Sequence, residues 1–213
     1  MRRTSLLLAT ALLAGTATFA QQDRMGPRLG LGLATQSVGG LFQNTSNLMP
    51  GLVVGWSFDF GMHPQLTFMP EFLFITKGFA FRNPAQQVRT QSRLNYIEMP
   101  LLLKVGMDKE PGGMFLLAGP ALGYFVGGTY KQWVDNELLI DGRYQMPPNG
   151  RKFQFSALVG MGMEGPRWEF DVRAQTSITP FERFTRIQNV VYALTVAYRL
   201  GTGNKQDKQE DDY

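Results

Sequence analysis

The sequence predicts an all-β fold, an eight-stranded antiparallel up-and-down transmembrane β-barrel with a polar, side-chain-filled interior, and three observations carry that prediction. Eight separate stretches alternate with the two-residue period of an extended strand. Within them the bulky apolar residues share one face, and Gly, Ser and charged residues share the other, which inverts the arrangement of a soluble barrel. The chain also opens with the layout of an export signal.

That signal has Arg2 and Arg3, an apolar run from Leu6 to Ala14, and small residues ending Thr18-Phe19-Ala20. A basic n-region accounts for the arginine pair. The expected organisation is a signal peptide at 1–20, an outer-membrane β-barrel domain at 21–200 and a disordered polar tail at 201–213, where no apolar periodicity remains. No later segment supplies the ~20 uninterrupted apolar residues of a membrane-spanning helix.

Strands are expected at about 28–35, 51–60, 65–78, 94–106, 114–128, 152–164, 167–177 and 189–200. The first carries Gly30 and Gly32 as small inward residues. In the second, Leu52, Val54, Trp56, Phe58 and Phe60 oppose Val53, Gly55, Ser57 and Asp59; in the third, Leu66, Phe68, Phe72 and Phe74 oppose Glu71 and Lys77. The fourth sends Ile97, Met99, Leu101, Leu103 and Val105 outward and leaves Tyr96, Glu98, Pro100, Leu102 and Lys104 inside. The fifth is apolar on both faces, so periodicity leaves its facing open. Pro100 and Pro120 lack a ladder donor, and a bulge or local distortion is expected at each.

The last three strands alternate most cleanly. Phe153, Phe155, Ala157, Val159, Met161 and Met163 oppose a face that includes Gly160, Gly162 and Glu164; Trp168, Phe170, Val172 and Ala174 oppose Glu169, Asp171, Arg173 and Gln175. Val190, Tyr192, Leu194, Val196, Tyr198 and Leu200 oppose Val191, Ala193, Thr195, Ala197 and Arg199. Connections alternate too. Short turns fall at 61–64, 108–113 and 165–166, and long loops at 36–50, 79–93, 129–151 and 178–188, which places both termini on the short-turn, periplasmic side of an outer membrane. Trp56, Trp168, Tyr192 and Tyr198 are expected near the polar boundaries of the membrane.

The predicted interior charge network sets Asp59, Glu71, Glu98, Glu164, Glu169 and Asp171 against Lys77, Lys104, Arg173 and Arg199. An eight-stranded barrel is only wide enough for its own side chains, and an unpaired charge inside it would be too costly. The charges are therefore expected to pair and form a plug rather than line a channel.

Other chemistry finds little footing. There is no cysteine, hence no disulfide, thiolate or lipid-attachment site. The single histidine, His63, sits in an expected turn with nothing nearby to complete a triad. Glu169 and Asp171 could form a carboxylate dyad, but Arg173 continues their face and favours charge pairing. No His/Cys cluster or calcium-loop spacing suggests a metal, and neither Gly-x-Gly pair opens a phosphate-binding helix. The expectation is no catalytic residue, no metal and no cofactor. The formal net charge of +4 comes without a basic cluster interleaved with stacking aromatics, so nucleic acid is not an expected partner. The long loops are rich in bases, notably Arg82, Arg89 and Arg93, which are candidate contacts for lipopolysaccharide phosphates; the expected partners are outer-membrane lipids and lipopolysaccharide.

The string L-N-Y-I-E-M-P-L-L-L-K at Leu94–Lys104, followed by L-L-A-G-P-A-L-G-Y at Leu116–Tyr124, resembles the porin-family or PorT-like outer-membrane β-barrel domain of Bacteroidetes type. Phe170–Thr179 and Val191–Leu200 resemble its closing strands. The resemblance implies an integral outer-membrane barrel with a structural or interaction role, with an accessory part in secretion or envelope assembly as one branch. A carrier or narrow pore for a small ligand is the first alternative. A membrane-barrel hydrolase using His63, Glu169 or Asp171 is the second.

Overall fold

The computed structural model describes residues 24–38, 47–83, 85–108, 112–146, 150–180 and 187–200. The expected signal peptide and polar tail, and Arg183 and Arg186 of the last long loop, lie outside the described residues. The strands are β1 (Arg24–Val38), β2 (Met49–His63), β3 (Leu66–Asn83), β4 (Val88–Gly106), β5 (Gly113–Val134), β6 (Glu137–Arg143), β7 (Phe153–Glu164), β8 (Trp168–Ser177) and β9 (Ile187–Tyr198).

All pairings between these strands are antiparallel. β1 pairs with both β2 and β9, and β4 pairs with β5, so eight strands close a ring in which each has two neighbours. Closure matters because hydrocarbon offers no partner to a free backbone edge. The ninth strand, β6, pairs only with β5 and stands outside the ring.

The expected loops at 79–93 and 129–151 are largely strand. β3 and β4 stay paired up to Asn83↔Val88, and β5 runs on to Val134 before returning as β6. Arg82, Arg89 and Arg93 therefore sit on strands, not on a loop. The turn between β5 and β6 is two residues, Asp135 and Asn136, with φ of 52° and 66°, the left-handed geometry that Asp and Asn tolerate in a tight hairpin. Bulky residues such as Phe81, Trp133, Leu138 and Ile140 are interspersed in this extension with Arg82, Arg89, Arg93 and Lys131 and do not gather on one face, and so it reads as loop from sequence.

The prolines distort the ladder without bulging it. The β3–β4 register passes from Pro70↔Leu101 to Leu73↔Glu98, and β4–β5 from Pro100↔Ala121 to Leu103↔Ala118, with no net shift. A missing donor interrupts two pairs, yet the flanking hydrogen bonds hold the strands in line. The shifts occur elsewhere, at Gly61/His63, Asn95/Tyr96 and Gln132/Trp133.

The facing inferred from alternation holds in the ring except at Val190, which is expected on the lipid face and is buried. Leu31, Phe72, Val159, Leu194 and Phe170 are exposed on the outside, and Ser57, Glu71, Glu98, Asp171 and Thr195 are buried within. β5 resolves to Phe115, Leu117, Ala121, Gly123 and Phe125 inside, with Met114, Leu116, Leu122, Tyr124 and Val126 outside. The interior is layered rather than uniformly polar. Met69, Leu102, Phe115, Leu117 and Leu158 form one apolar cluster, while Ala34, Val53, Leu73, Ile75, Leu94 and Tyr96 anchor another on which Tyr144 and Met146 pack. Small residues make room for these rings: a Cβ at Gly162 would lie 2.5 Å from Phe115 Cζ and 2.7 Å from Asp171 Cβ.

Of the four aromatics expected at a membrane boundary, Trp168 and Tyr198 meet edge to face, 4.9 Å between ring centroids, where β8 begins and β9 ends. Trp56 and Tyr192 do not follow. They lie in the middle of β2 and β9, where a lipid-facing position is filled by bulk and not by interfacial polarity.

Candidate functional site: the charged lumen and the sheet extension

Two polar layers cross the ring. The larger one, toward the short turns, is built from inward positions of seven strands and centres on Arg28. Its guanidinium reaches Glu71 at 2.9 Å from Nε, pairs with Glu169 and Asp171 through its two terminal nitrogens, and donates to Thr195 Oγ1 at 2.6 Å. Arg173 holds Glu71 bidentately, at 2.5 and 2.9 Å, and also pairs with Asp171. Arg199 joins Glu169, Asp59 at 3.2 Å and Ser57 Oγ at 2.7 Å.

Lys104 completes this layer. Its ammonium lies 2.5 Å from Glu164, 3.0 Å from Glu169 and 3.1 Å from Asp59. These three acids are also, among the described residues, a trio whose carboxylate oxygens come within 4.8 Å of one another. A lysine already stands where a cation would have to bind, so the trio's charge is met by the chain itself.

The second layer is smaller. Lys77 donates to Glu98 at 2.5 Å and Gln154 at 2.8 Å, and Gln175 donates to the other Glu98 oxygen at 2.9 Å. Above it the Tyr96, Phe125 and Tyr144 rings stack edge to face, and the Tyr144 N–H bonds the Gly128 carbonyl at 2.9 Å. Gly128 is dictated first by the close approach of β4, since a Cβ there would lie 2.3 Å from the Arg93 carbonyl oxygen, and it also leaves room for Tyr144, whose Cβ would be 3.1 Å away. The mouth opposite the short turns is thus covered by Tyr144 and Met146.

The structure brings all ten charges of the expected interior network into the lumen, Asp59, Glu71, Glu98, Glu164, Glu169, Asp171, Lys77, Lys104, Arg173 and Arg199, each in an ion pair. The sequence reading missed Arg28, the fully buried hub. Its parity with Gly30 and Gly32, both faced inward, was the available signal. The Glu169–Asp171 pair is divided among arginines and Lys104, which leaves neither carboxylate as a free base. His63 ends β2 in an exposed position, where its Nδ1 accepts from the Gln65 N–H at 3.5 Å.

Arg82, Arg89 and Arg93 are not gathered in the lumen. Register places them on the outward face of the extension, where Arg82 is opposite Arg89, and Arg89 and Arg93 face Trp133 and Thr129 of β5. Arg89 lies over the Trp133 ring at 5.2 Å. Lys131, on the same face, pairs with Asp141 at 2.9 Å.

Comparison with known proteins follows this geometry. The profile of the outer membrane protein beta-barrel domain matches residues 19–183. Among solved structures, the attachment invasion locus protein Ail of Yersinia pestis, crystallised with the heparin analogue sucrose octasulfate, is 9% identical with a TM-score of 0.50, over 84% of this chain and 100% of that one. Neisserial surface protein A is 10% identical with a TM-score of 0.52, over 83% and 97%. At such identity these likenesses speak to fold alone. None of the curated protein sequences compared with the chain matches it.

Proposed function

The chain belongs to the outer membrane protein beta-barrel domain family, and from that premise we propose that it is a sealed outer-membrane barrel with a structural or interaction role, neither a pore nor an enzyme. One observation carries this reading: Arg28, Lys104, Glu169 and their partners tie opposite walls of the ring together across the lumen. Opening a path would separate buried ion pairs, and breaking one such pair costs about 3–5 kcal/mol. At the short-turn mouth an indentation of about 20 Å³ is lined in part by Lys104 and Glu164.

Both described ends, Arg24 and Leu200, lie at the short-turn end, where Met25 and Leu200 bridge. We place that end in the periplasm and the β3–β6 extension outside the cell, since short periplasmic turns and longer external connections are the rule for such barrels. The resemblance of Leu94–Lys104 to the PorT-like domain supports an accessory place in secretion or envelope assembly as the finer form of the proposal.

Planar-bilayer recording tests it. A sealed barrel gives no steps above the lipid baseline, and regular single-channel openings by the folded protein would return the pore reading to first place. The hydrolase reading requires turnover of an acyl or peptide substrate that is lost on changing His63, Glu169 or Asp171. The engagement of both acids by cations argues against it.

A further inference from the structure

We propose that the outward face of the extension binds the phosphate groups of an outer-leaflet glycolipid. Three adjacent strands change character over two successive ladder rows, Thr76–Asn95–Gly127 and then Arg93–Thr129. Outward residues of β3 pass from Phe72 and Phe74 to Thr76, those of β4 from Met99 and Ile97 to Asn95, and those of β5 from Tyr124 and Val126 to Thr129. Phe74 pairs with Ile97, and Ile97 with Tyr124; one step on, Thr76 pairs with Asn95 and donates to its side chain at 3.1 Å. This row is the edge of the apolar band.

The cations begin immediately beyond it. Arg93 is two residues past Asn95, about 7 Å at ~3.3 Å per residue, and its cross-strand neighbours lead through Thr129 to Arg143. Gln91 and Lys131 form the next row, and Arg82, Arg89 and Trp133 the one after. Asp141 is the one acid that register places on this face among the described residues. Gln91, Arg93, Thr129, Lys131 and Trp133 line a shallow depression of about 220 Å³. Such a surface offers several charge-assisted donors to phosphate oxygens.

A soluble polyanion would need only the cations. The surface around the barrel offers more: beside β5, Leu122, Phe153 and Phe155 line an apolar groove of about 340 Å³ headed by Arg151 and Lys152. Cations directly over apolar channels suit a molecule with phosphates above and acyl chains below. The occupant is therefore a phosphorylated glycolipid, and lipopolysaccharide is the outer-leaflet molecule of that chemistry. This inference rests on the outward orientation proposed above.

The test has two arms on the full-length chain. In the first, Asn136→Cys in this cysteine-free protein is exposed to a membrane-impermeant maleimide on intact cells. Labelling supports the orientation; protection overturns both the orientation and the glycolipid site. In the second, wild type, an R82Q/R89Q/R93Q variant and a K131Q/R143Q variant are reconstituted with lipopolysaccharide or its dephosphorylated form, and the glycolipid retained after detergent washing is measured. These substitutions are on an exposed face, and heat-modifiable gel mobility verifies folding. Wild type should retain the phosphorylated form, and each variant should retain at least about tenfold less, since each cation near an anionic lipid surface contributes about 1 kcal/mol. Equal retention by the variants, or equal retention of the dephosphorylated form, would overturn the glycolipid site while leaving the barrel's orientation standing. So would inorganic polyphosphate binding to wild type that retains no lipopolysaccharide.

Discussion

Arg28 is the residue whose removal should be felt most. It faces Glu71, Glu169, Asp171 and Thr195 with no exposure to solvent. Arg28→Leu would leave three buried carboxylates short of a partner and should destabilise the barrel by about 3–5 kcal/mol. Arg28→Lys keeps the charge but loses the fork that spans three acids, so it should recover only part of the loss. Denaturant unfolding in lipid vesicles measures both, and an unchanged midpoint for Arg28→Leu would show that the network contributes nothing to stability. Arg28 also shows what the sequence conceals at this scale. An arginine at the first residue of the expected strand 28–35 looks solvated, and only the closing of β9 onto β1 puts Asp171 and Thr195 in front of it.

At the scale of the element, β9 separates the two environments within one residue step. Leu194 is outward and exposed, while Thr195 is buried between Arg28 and Asp171, accepting from one at 2.6 Å and donating to the other at 2.9 Å. Leu194→Arg should cost about 2–4 kcal/mol in a bilayer if the position is near mid-membrane. Thr195→Arg should fail differently, by crowding the lumen and repelling Arg28, and should abolish the compact heat-modifiable form. Equal tolerance of the two in refolding would contradict the facing. Alternation made this facing readable because a strand's period is two whatever it packs against. The extension was not readable. Residues 79–83, 88–93, 129–134 and 137–143 are in paired strands, yet they mix polar residues with Phe81, Trp133 and Leu138–Ile140 without one apolar face and so lack the signal by which strands are recognised.

For the whole molecule, the proposed sealed barrel has its closure in the charged layer, with the Tyr144–Met146 segment packed above it. This covering segment packs on Phe125 and the upper apolar cluster, remote from Arg28, Lys104 and Glu169. A Tyr144→Ala/Met146→Ala double variant should therefore leave bilayer conductance at baseline, though it loosens the mouth. Openings in that variant alone would move the closure from the ion pairs to the cover. The nine-stranded arrangement, with eight strands in the ring and β6 outside it, then divides labour: a closed cylinder fills the membrane, and an open-edged sheet meets what lies beyond.

The sequence by itself determined that the chain forms a closed β-barrel with its solvent preference inverted, because alternation and composition on each face are local properties that burial in lipid imposes residue by residue. It also determined ten of the charges that lie inside, Arg28 excepted. Only the tertiary structure decided how those charges are shared, with Arg28 as hub and Lys104 among three acids, and that the basic segments are strands rising above the apolar band. Both depend on which strands become neighbours around a ring, and residues as far apart in the chain as Arg28 and Asp171 meet only when that ring closes.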